Sequence, residues 1–159
     1  LKAGNADLSG GTTQADKIAI AADSFSTAGA SLVALGSDTL DVTVAGAMDN
    51  RGGVIAGNGA VNLKVQSLDN HAGKISAAGS GPSTVQVAQQ LDNTDGSIAA
   101  AGDTTVMAGD LTNWGGSVVA SGQSALTVDV AGTLDNRGKG TLAAGGDMTV
   151  SANALDNRE

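Results

Sequence analysis

The sequence is poor in the residues that build large cores, disulfides and metal sites. Its 159 residues include no Cys, no Tyr and a single His, His71. Disulfide bonds, thiol catalysis and zinc sites made from Cys or from several His residues are therefore excluded. Phe25 and Trp114 are the only aromatic residues. Because large rings supply much of the burial in an ordinary core, this chain requires a narrow core of Val, Leu, Ile and Ala.

Basic residues are also scarce. Eight Lys and Arg stand against 16 Asp and Glu, which gives a net charge of −8. Binding to nucleic acid relies on a surplus of positive charge, so we expect no nucleic-acid partner. All the acidic residues except Glu159 are Asp, which favours turns over helices. No apolar run is long enough to cross a membrane, so we expect no membrane insertion.

A short motif recurs at nearly constant intervals along the chain. The dipeptide Asp-Asn ends at Asn50, Asn70, Asn93, Asn136 and Asn157, with Thr112-Asn113 in the missing slot and Ser26-Thr27 one repeat earlier. The intervals between the second residues of these pairs are 23, 20, 23, 20, 23 and 21. Such regularity indicates a tandem repeat, and it governs the interpretation of every local motif.

Other positions keep the same period. A large apolar residue precedes each dipeptide, at Phe25, Met48, Leu68, Leu91, Leu111, Leu134 and Leu155. Gly usually follows three residues after the Asn, and segments such as 40–44 and 126–130 alternate apolar and polar residues. Alternation with a period of two is typical of strands with one buried face. The longer repeats carry extra residues at 45–47, 88–90 and 131–133, which predicts a bulge or longer corner before the dipeptide on every second coil.

A repeat of 20–23 residues with short strands cannot bury its own apolar face, but stacked copies can. With no helical segment between the strands, the sequence predicts an all-β parallel β-helix of about seven coils. We expect residues 1–159 to form a single β-helical segment, with repeats clearest in 25–159 and a more degenerate coil in 1–23. Because the chain starts at Leu1 with no signal peptide, we interpret it as an internal fragment of a longer protein.

The Asn residues define the first candidate site. Asn tolerates the left-handed backbone conformation, so we expect it to form a tight corner, with its side-chain amides stacked in a ladder. This predicted structural ladder contains Asn50, Asn70, Asn93, Asn113, Asn136 and Asn157.

The Asp residues before the Asn column are open to two interpretations. They could form a calcium ladder, since Ca²⁺ is bound by six to eight oxygen atoms, but the Gly-Gly-x-Gly-x-Asp repeat typical of calcium-binding β-helices is absent. We therefore expect these carboxylates to accept hydrogen bonds from the corner amides. Short, repeated turns leave no cleft for catalysis, so we expect neither an enzyme nor a cofactor. An ice-binding surface would need a regular Thr-x-Thr column, which Thr104, Thr127 and Thr149 do not supply.

The residue after each Asn is the most variable position of the repeat. We call this column the corner strip, and its members are Arg51, His71, Thr94, Trp114, Arg137 and Arg158. Arg51, His71, Trp114 and Arg137 are candidate ligand-binding residues, since rings stack on sugars and Arg pairs with acids. The alternative, which we favour, is that an exposed corner position varies without a function.

The repeat resembles that of filamentous haemagglutinin. The resemblance is clearest in residues 91–102 (LDNTDGSIAAAG) and returns in 134–138 and 142–147. It covers about residues 25–159. It implies a right-handed parallel β-helix within a large exoprotein of two-partner secretion in Gram-negative bacteria, such as an adhesin or the stalk of a contact-dependent growth-inhibition toxin. It further implies a secreted or cell-surface location and an outer-membrane transporter as the partner during export.

The predicted function is therefore mechanical. We expect a non-catalytic rod segment that holds distal binding or toxic modules away from the bacterium. The alternative is a direct adhesin, in which the corner strip near Trp114 binds a host glycan or a protein receptor.

Overall fold

The computed structural model describes residues 1–158, so the last residue of the predicted segment, Glu159, lies outside the described part. Those residues form fifteen β-strands joined by turns, and no helix is found among them. Across the same residues there is accordingly no helix that could span a membrane.

Each coil of the chain contributes one long and one short strand. The long strands are β1 (Lys2–Asp7), β3 (Ala19–Ser26), β5 (Leu40–Asp49), β7 (Val61–Asp69), β9 (Ser83–Asp92), β11 (Thr104–Thr112), β13 (Leu126–Asp135) and β15 (Met148–Asp156). The short strands are β2 (Thr12–Ala15), β4 (Ser31–Ala34), β6 (Val54–Gly57), β8 (Lys74–Ala77), β10 (Ser97–Ala100), β12 (Ser117–Ala120) and β14 (Thr141–Ala144).

The strands form two parallel sheets in which neighbours along the sheet are successive coils. The eight long strands follow the order β1-β3-β5-β7-β9-β11-β13-β15, and the seven short strands form the second sheet in the same progression. Leu68 pairs with Leu91, and Leu91 pairs with Leu111, so equivalent residues lie one above another. The predicted fold is confirmed: the chain is a parallel β-solenoid of about seven turns.

The core is the narrow space between the two sheets. In β9, Val85, Val87 and Leu91 point inward and are almost fully buried, whereas Gln86 faces solvent. The short strands close the other side with pairs such as Ile75 and Ala77. Stacking therefore produces continuous columns of aliphatic side chains, each buried Leu or Val contributing roughly 1.5–3 kcal/mol of transfer free energy.

Residues 1–23 stack on the next coil although their sequence repeat is degenerate. Strands β1 and β2 pair in parallel with β3 and β4. The segment 8–11 makes the turn between β1 and β2, with Gly10 at a φ of 67°. The loss of the Asp-Asn signature in this coil therefore does not interrupt the stacking.

The prediction for the extra residues is only partly correct. Val44 of β5 pairs with Val65 of β7, and the next pair is Ala47 with Ser67. Residues 45 and 46 of β5 therefore face a single residue of β7, which shifts the register by one residue. Similar shifts occur in β9 and β13. Only one of the three extra residues is thus accommodated before the corner. The other two lengthen the loop after the short strand, which spans 35–39, 78–82 and 121–125 in long coils but 58–60 and 101–103 in short ones.

Candidate functional site

The corner after each long strand is the most regular site in the structure. Leu91 and Asp92 still belong to β9, so the turn begins only at Asn93. The N–H of Gly96 donates to the carbonyl oxygen of Asn93 at 3.0 Å and closes the turn. The equivalent bond joins Gly53 to Asn50 at 3.0 Å. Each corner is therefore a compact turn that reverses the chain into the short strand.

The expectation that Asn itself adopts the left-handed conformation is wrong. Positive φ angles occur two residues after the Asn, at Gly52 (60°), Ala72 (51°), Asp95 (53°), Gly115 (64°) and Gly138 (62°). Lys139, in the one corner with an additional residue, is also left-handed, with a φ of 69°. The Asn residues are selected for their side chains, since their own backbone does not require this conformation.

The amides of the Asn column form one chain of hydrogen bonds along the solenoid. Asn50 Nδ2 donates to Asn70 Oδ1 at 2.7 Å, and the same bond follows from Asn70 to Asn93 at 2.7 Å. It continues from Asn93 to Asn113, from Asn113 to Asn136 and from Asn136 to Asn157, at 2.7, 2.7 and 2.6 Å. Every amide donates in the same direction, towards the C-terminal coil. We refer to this chain as the Asn ladder.

The Asn ladder begins at Thr27, which is not among the ladder residues predicted from the sequence. Thr27 is completely buried, and its Oγ1 donates to Asn50 Oδ1 at 2.8 Å. The signal for Thr27 was its gap-free alignment with the Asn column. A hydroxyl group can supply the one donor that Asn50 needs, so Thr is sufficient at this position.

Gly three residues after the Asn allows the amides to approach each other. A Cβ atom on Gly73 would overlap with the carbonyl oxygen of Asn50 and would lie 2.5 Å from Asn70 Oδ1. Asn50, Asn70, Asn93 and Asn113 are all at zero exposure. A polar group buried in this way is costly unless it is paired, and the Asn ladder provides that pairing at each coil.

The Asp column accepts hydrogen bonds from the corner backbone, as predicted. Asp69 Oδ1 accepts from the N–H of His71 at 3.1 Å, and Asp92 Oδ1 accepts from that of Thr94 at 2.9 Å. This arrangement is an Asx turn, in which the side chain imitates a backbone turn. Within residues 1–158, no three acidic or His side chains converge closely enough to hold a metal ion.

Arg residues of the corner strip clamp the Asp column. Arg137 donates through Nε and Nη2 to the two carboxylate oxygens of Asp135, at 2.9 and 2.7 Å. Its Nε also lies 3.7 Å from Asp156 of the next coil. Arg51 makes the same contacts with Asp49 and, at 3.6 Å, with Asp69. These clamps relieve the repulsion between carboxylates stacked on successive coils.

The clamps change the acidity of their partners. The hydrogen bond from the Arg137 side chain is the main cause that lowers the pKa of Asp135, opposed by partial burial. The Arg51 side chain lowers the pKa of Asp49 in the same way. Arg158 lowers the pKa of Asp156 furthest, again through its side-chain hydrogen bond first. The three Arg residues 51, 137 and 158 are thus engaged with carboxylates of their own corner.

Trp114 is the exception in the corner strip. Its side chain remains 52% exposed, although the indole lies directly against Gly138 of the next coil. A depression of about 620 Å³ surrounds it, lined by Thr94, Thr112, Trp114, Asp135, Arg137 and Gly138. The structure brings Trp114 and Arg137 together, whereas Arg51 and His71 lie two or more coils away along the strip and do not line this depression.

The outward Thr column is not the one considered from the sequence. Thr104 points inward and is buried. The outward column is instead Thr84, Thr105, Thr127 and Thr149, which pair in register across β9, β11, β13 and β15. The next outward column contains Gln86, Met107, Asp129 and Ser151. A second Thr column is therefore absent from this face.

The fold and the corner together define a repeat protein of the β-solenoid class, stabilised by an internal polar ladder. A family model described as the haemagglutinin repeat matches residues 1–52, 36–81, 78–138 and 119–159. The chain belongs to this haemagglutinin repeat family, and the match extends to the first coil, beyond the region where the resemblance is clear by inspection. Comparisons with curated proteins and with solved structures gave no match.

Replacing one ladder residue should destabilise the solenoid. In Asn93→Ala, Asn70 loses its acceptor and Asn113 loses its donor, and both groups are buried. At about 1–3 kcal/mol for each unsatisfied group, we expect a loss of roughly 2–6 kcal/mol in chemical denaturation. Asn153→Ala, at an exposed position of β15, is the control and should change stability little. Equal stability of the two variants would contradict a stabilising role for the ladder.

The Arg clamps predict a dependence of stability on pH. The unfolded pKa of Asp is about 3.9, and the folded pKa of Asp135 is lower. The stabilisation from this group is therefore fully present above about pH 3.9 and is lost as the pH falls through the folded pKa. Denaturation measured at a series of pH values should show that acid lowers the free energy of unfolding less in Asp135→Asn than in the unmodified chain. Asp129→Asn, at an exposed site outside the corners, is the control and should lose as much stability in acid as the unmodified chain. If Asp135→Asn had the same pH dependence of stability as the unmodified chain, the contribution assigned to Asp135 would be refuted.

Proposed function

We propose that the chain is a rigid, non-catalytic segment of a rod in a secreted or cell-surface exoprotein of the adhesin type. Its role is to hold other modules of the exoprotein at a distance from the cell. One observation carries this proposal: successive coils pair in parallel through both sheets and, from Thr27 onward, also through the Asn ladder. With about 4.8 Å between coils, seven steps give a rod roughly 35 Å long.

The export route is part of the same proposal. We infer that the chain passes through the outer-membrane transporter of a two-partner secretion system in a Gram-negative bacterium and folds outside. The lack of Cys means that no disulfide has to form during passage. The most extensive contacts between strands all link adjacent coils, and a solenoid of this kind can extend one coil at a time from a folded end.

A deletion that preserves register tests the rod. Removing residues 71–113, one 23-residue and one 20-residue repeat, joins Asn70 to Trp114 and keeps the alternation of long and short coils. We expect a folded β-solenoid that is shorter by two coil spacings, about 10 Å, measurable by small-angle scattering. In the full exoprotein the deletion should preserve export and shorten the reach of distal modules.

The control for this deletion breaks the register. Removing residues 71–103 deletes β8, β9 and β10 and joins the end of β7 directly to the start of β11, with no corner or short strand between them. We expect this variant to lose its cooperative unfolding. If the in-register deletion abolishes attachment of the exoprotein to its target while export and fold are intact, the segment binds the target directly and the spacer proposal fails.

The depression around Trp114 supports a second candidate, direct binding of a glycan. An exposed indole offers an apolar face for a sugar ring, and Thr94 and Asp135 line the same depression. Because Arg137 is already paired with Asp135 through two hydrogen bonds, the site favours a neutral sugar over an acidic one.

Substitution of Trp114 tests this candidate. On an array of neutral and acidic glycans, binding by the unmodified chain should be confined to neutral structures. It should be lost in Trp114→Ala and largely kept in Trp114→Phe, which retains an aromatic face. Arg51→Ala, on the same strip but outside the depression, is the matched control and should bind normally. Absence of binding by the unmodified chain would reject the second candidate and leave the spacer role.

A further inference from the structure

Asn58 differs in its chemical setting from the other nine Asn residues of the chain. It is the only one followed by Gly, and it opens the three-residue loop 58–60 between β6 and β7. Its side chain is exposed, so water can reach the carboxamide. Its Nδ2 donates to the carbonyl oxygen of Leu35 in the preceding coil at 2.7 Å. This bond is a coil-to-coil contact made by an amide outside the Asn ladder.

The packing of the loop fixes Gly at position 59. A Cβ atom there would overlap with the carbonyl oxygens of Asp38 and Ser37 in the coil below. The carbonyl oxygen of Gly59 accepts from the N–H of Gly79, but across residues 1–158 the Gly59 N–H donates no backbone hydrogen bond. The nitrogen atom next to the Asn58 side chain is therefore unhindered by a side chain and unoccupied as a donor.

A second Asx-Gly pair shows that this situation is particular to Asn58. Asp95 precedes Gly96 in a corner, but the Gly96 N–H is engaged with the carbonyl oxygen of Asn93 at 3.0 Å. The ladder residues Asn50, Asn70, Asn93, Asn113 and Asn136 are buried and are followed by Arg, His, Thr, Trp and Arg. The fold thus protects every other Asn of the core and leaves one reactive pair on a loop.

We propose that Asn58 is a modification site, at which the side chain loses its amide without an enzyme. The Gly59 nitrogen forms a bond to Asn58 Cγ, the Cγ–Nδ2 bond breaks, and the Gly59 proton leaves with Nδ2 as ammonia. Water then opens the cyclic imide at one of its two carbonyl carbons. One opening gives Asp, and the other gives isoaspartate, in which the main chain continues through Cγ.

Either product weakens the contact between two coils. A carboxylate at position 58 has no proton to donate to Leu35, so the 2.7 Å bond is replaced by two facing acceptors. The isoaspartate form also adds one carbon to a loop whose backbone is bonded to both neighbouring coils, through Asn58 N–H to Ala34 and Gly79 N–H to Gly59. Deamidation therefore increases with the time since synthesis and loosens this one loop, while the Asn ladder stays intact.

Peptide mapping by mass spectrometry tests the proposal on the folded chain. After incubation in mildly alkaline buffer, most of the Asn58 peptide should show the mass increase of amide-to-acid conversion before any change is detected at Asn5 or Asn153. These two residues are exposed and precede Ala, so they are internal controls. Asn58→Gln, whose longer side chain cyclises far more slowly, should remain unmodified, and Asp95 should not isomerise.

The same incubation in urea identifies protection by the fold. Conversion of Asn58 in the unfolded chain but not in the folded one would overturn the proposal, because the hydrogen bond to Leu35 would then hold the side chain away from Gly59. Conversion at Asn58 no faster than at Asn5 and Asn153 would overturn it as well. A lower urea midpoint of Asn58→Asp, compared with Asn58→Gln, is the expected effect of the new carboxylate on the loop.

Discussion

The register between successive coils is the constraint on which the rest of the structure depends. Once Leu68, Leu91 and Leu111 lie one above another, every other equivalent position is also superposed. The aliphatic columns then bury each other, and the polar columns are forced into contact at about 4.8 Å. Buried Asn residues satisfy this contact by pairing, since a carboxamide is both a donor and an acceptor. The same spacing makes the Asp column repulsive unless Arg residues intervene.

The Asn column and the Asp column have different roles at the corner. The Asn ladder offsets the cost of burying polar groups beside the aliphatic columns of the core. The Asp column fixes the turn by accepting the backbone N–H two residues later, as in Asp69 and His71. Clamps such as Arg137 bridge carboxylates of adjacent coils on the surface, where each ion pair contributes little. Stability therefore comes from inside the corner, and the strip outside it is free to vary or to bind.

This division of labour suits the rod segment that we propose. A rod segment of this kind needs length and stiffness, which the pairing between successive coils supplies. Variation is concentrated in the corner strip and in the loops after the short strands. Trp114 and Asn58 both lie in these regions, and each introduces a chemistry that the repeat itself lacks: an exposed aromatic face and a reactive amide.

The sequence by itself determined the period, the strand pattern and the members of the stacked columns, because burial and turn formation impose the same residue types on every coil. Only the tertiary structure decided how the coils meet. It placed the left-handed residue two positions after Asn, since the Asn side chain has to reach the next coil. It divided the extra residues of long coils between a bulge and a loop, added Thr27 to the ladder, and set Trp114 against Gly138. These features depend on contacts between residues 20 or more positions apart, which a single repeat does not encode.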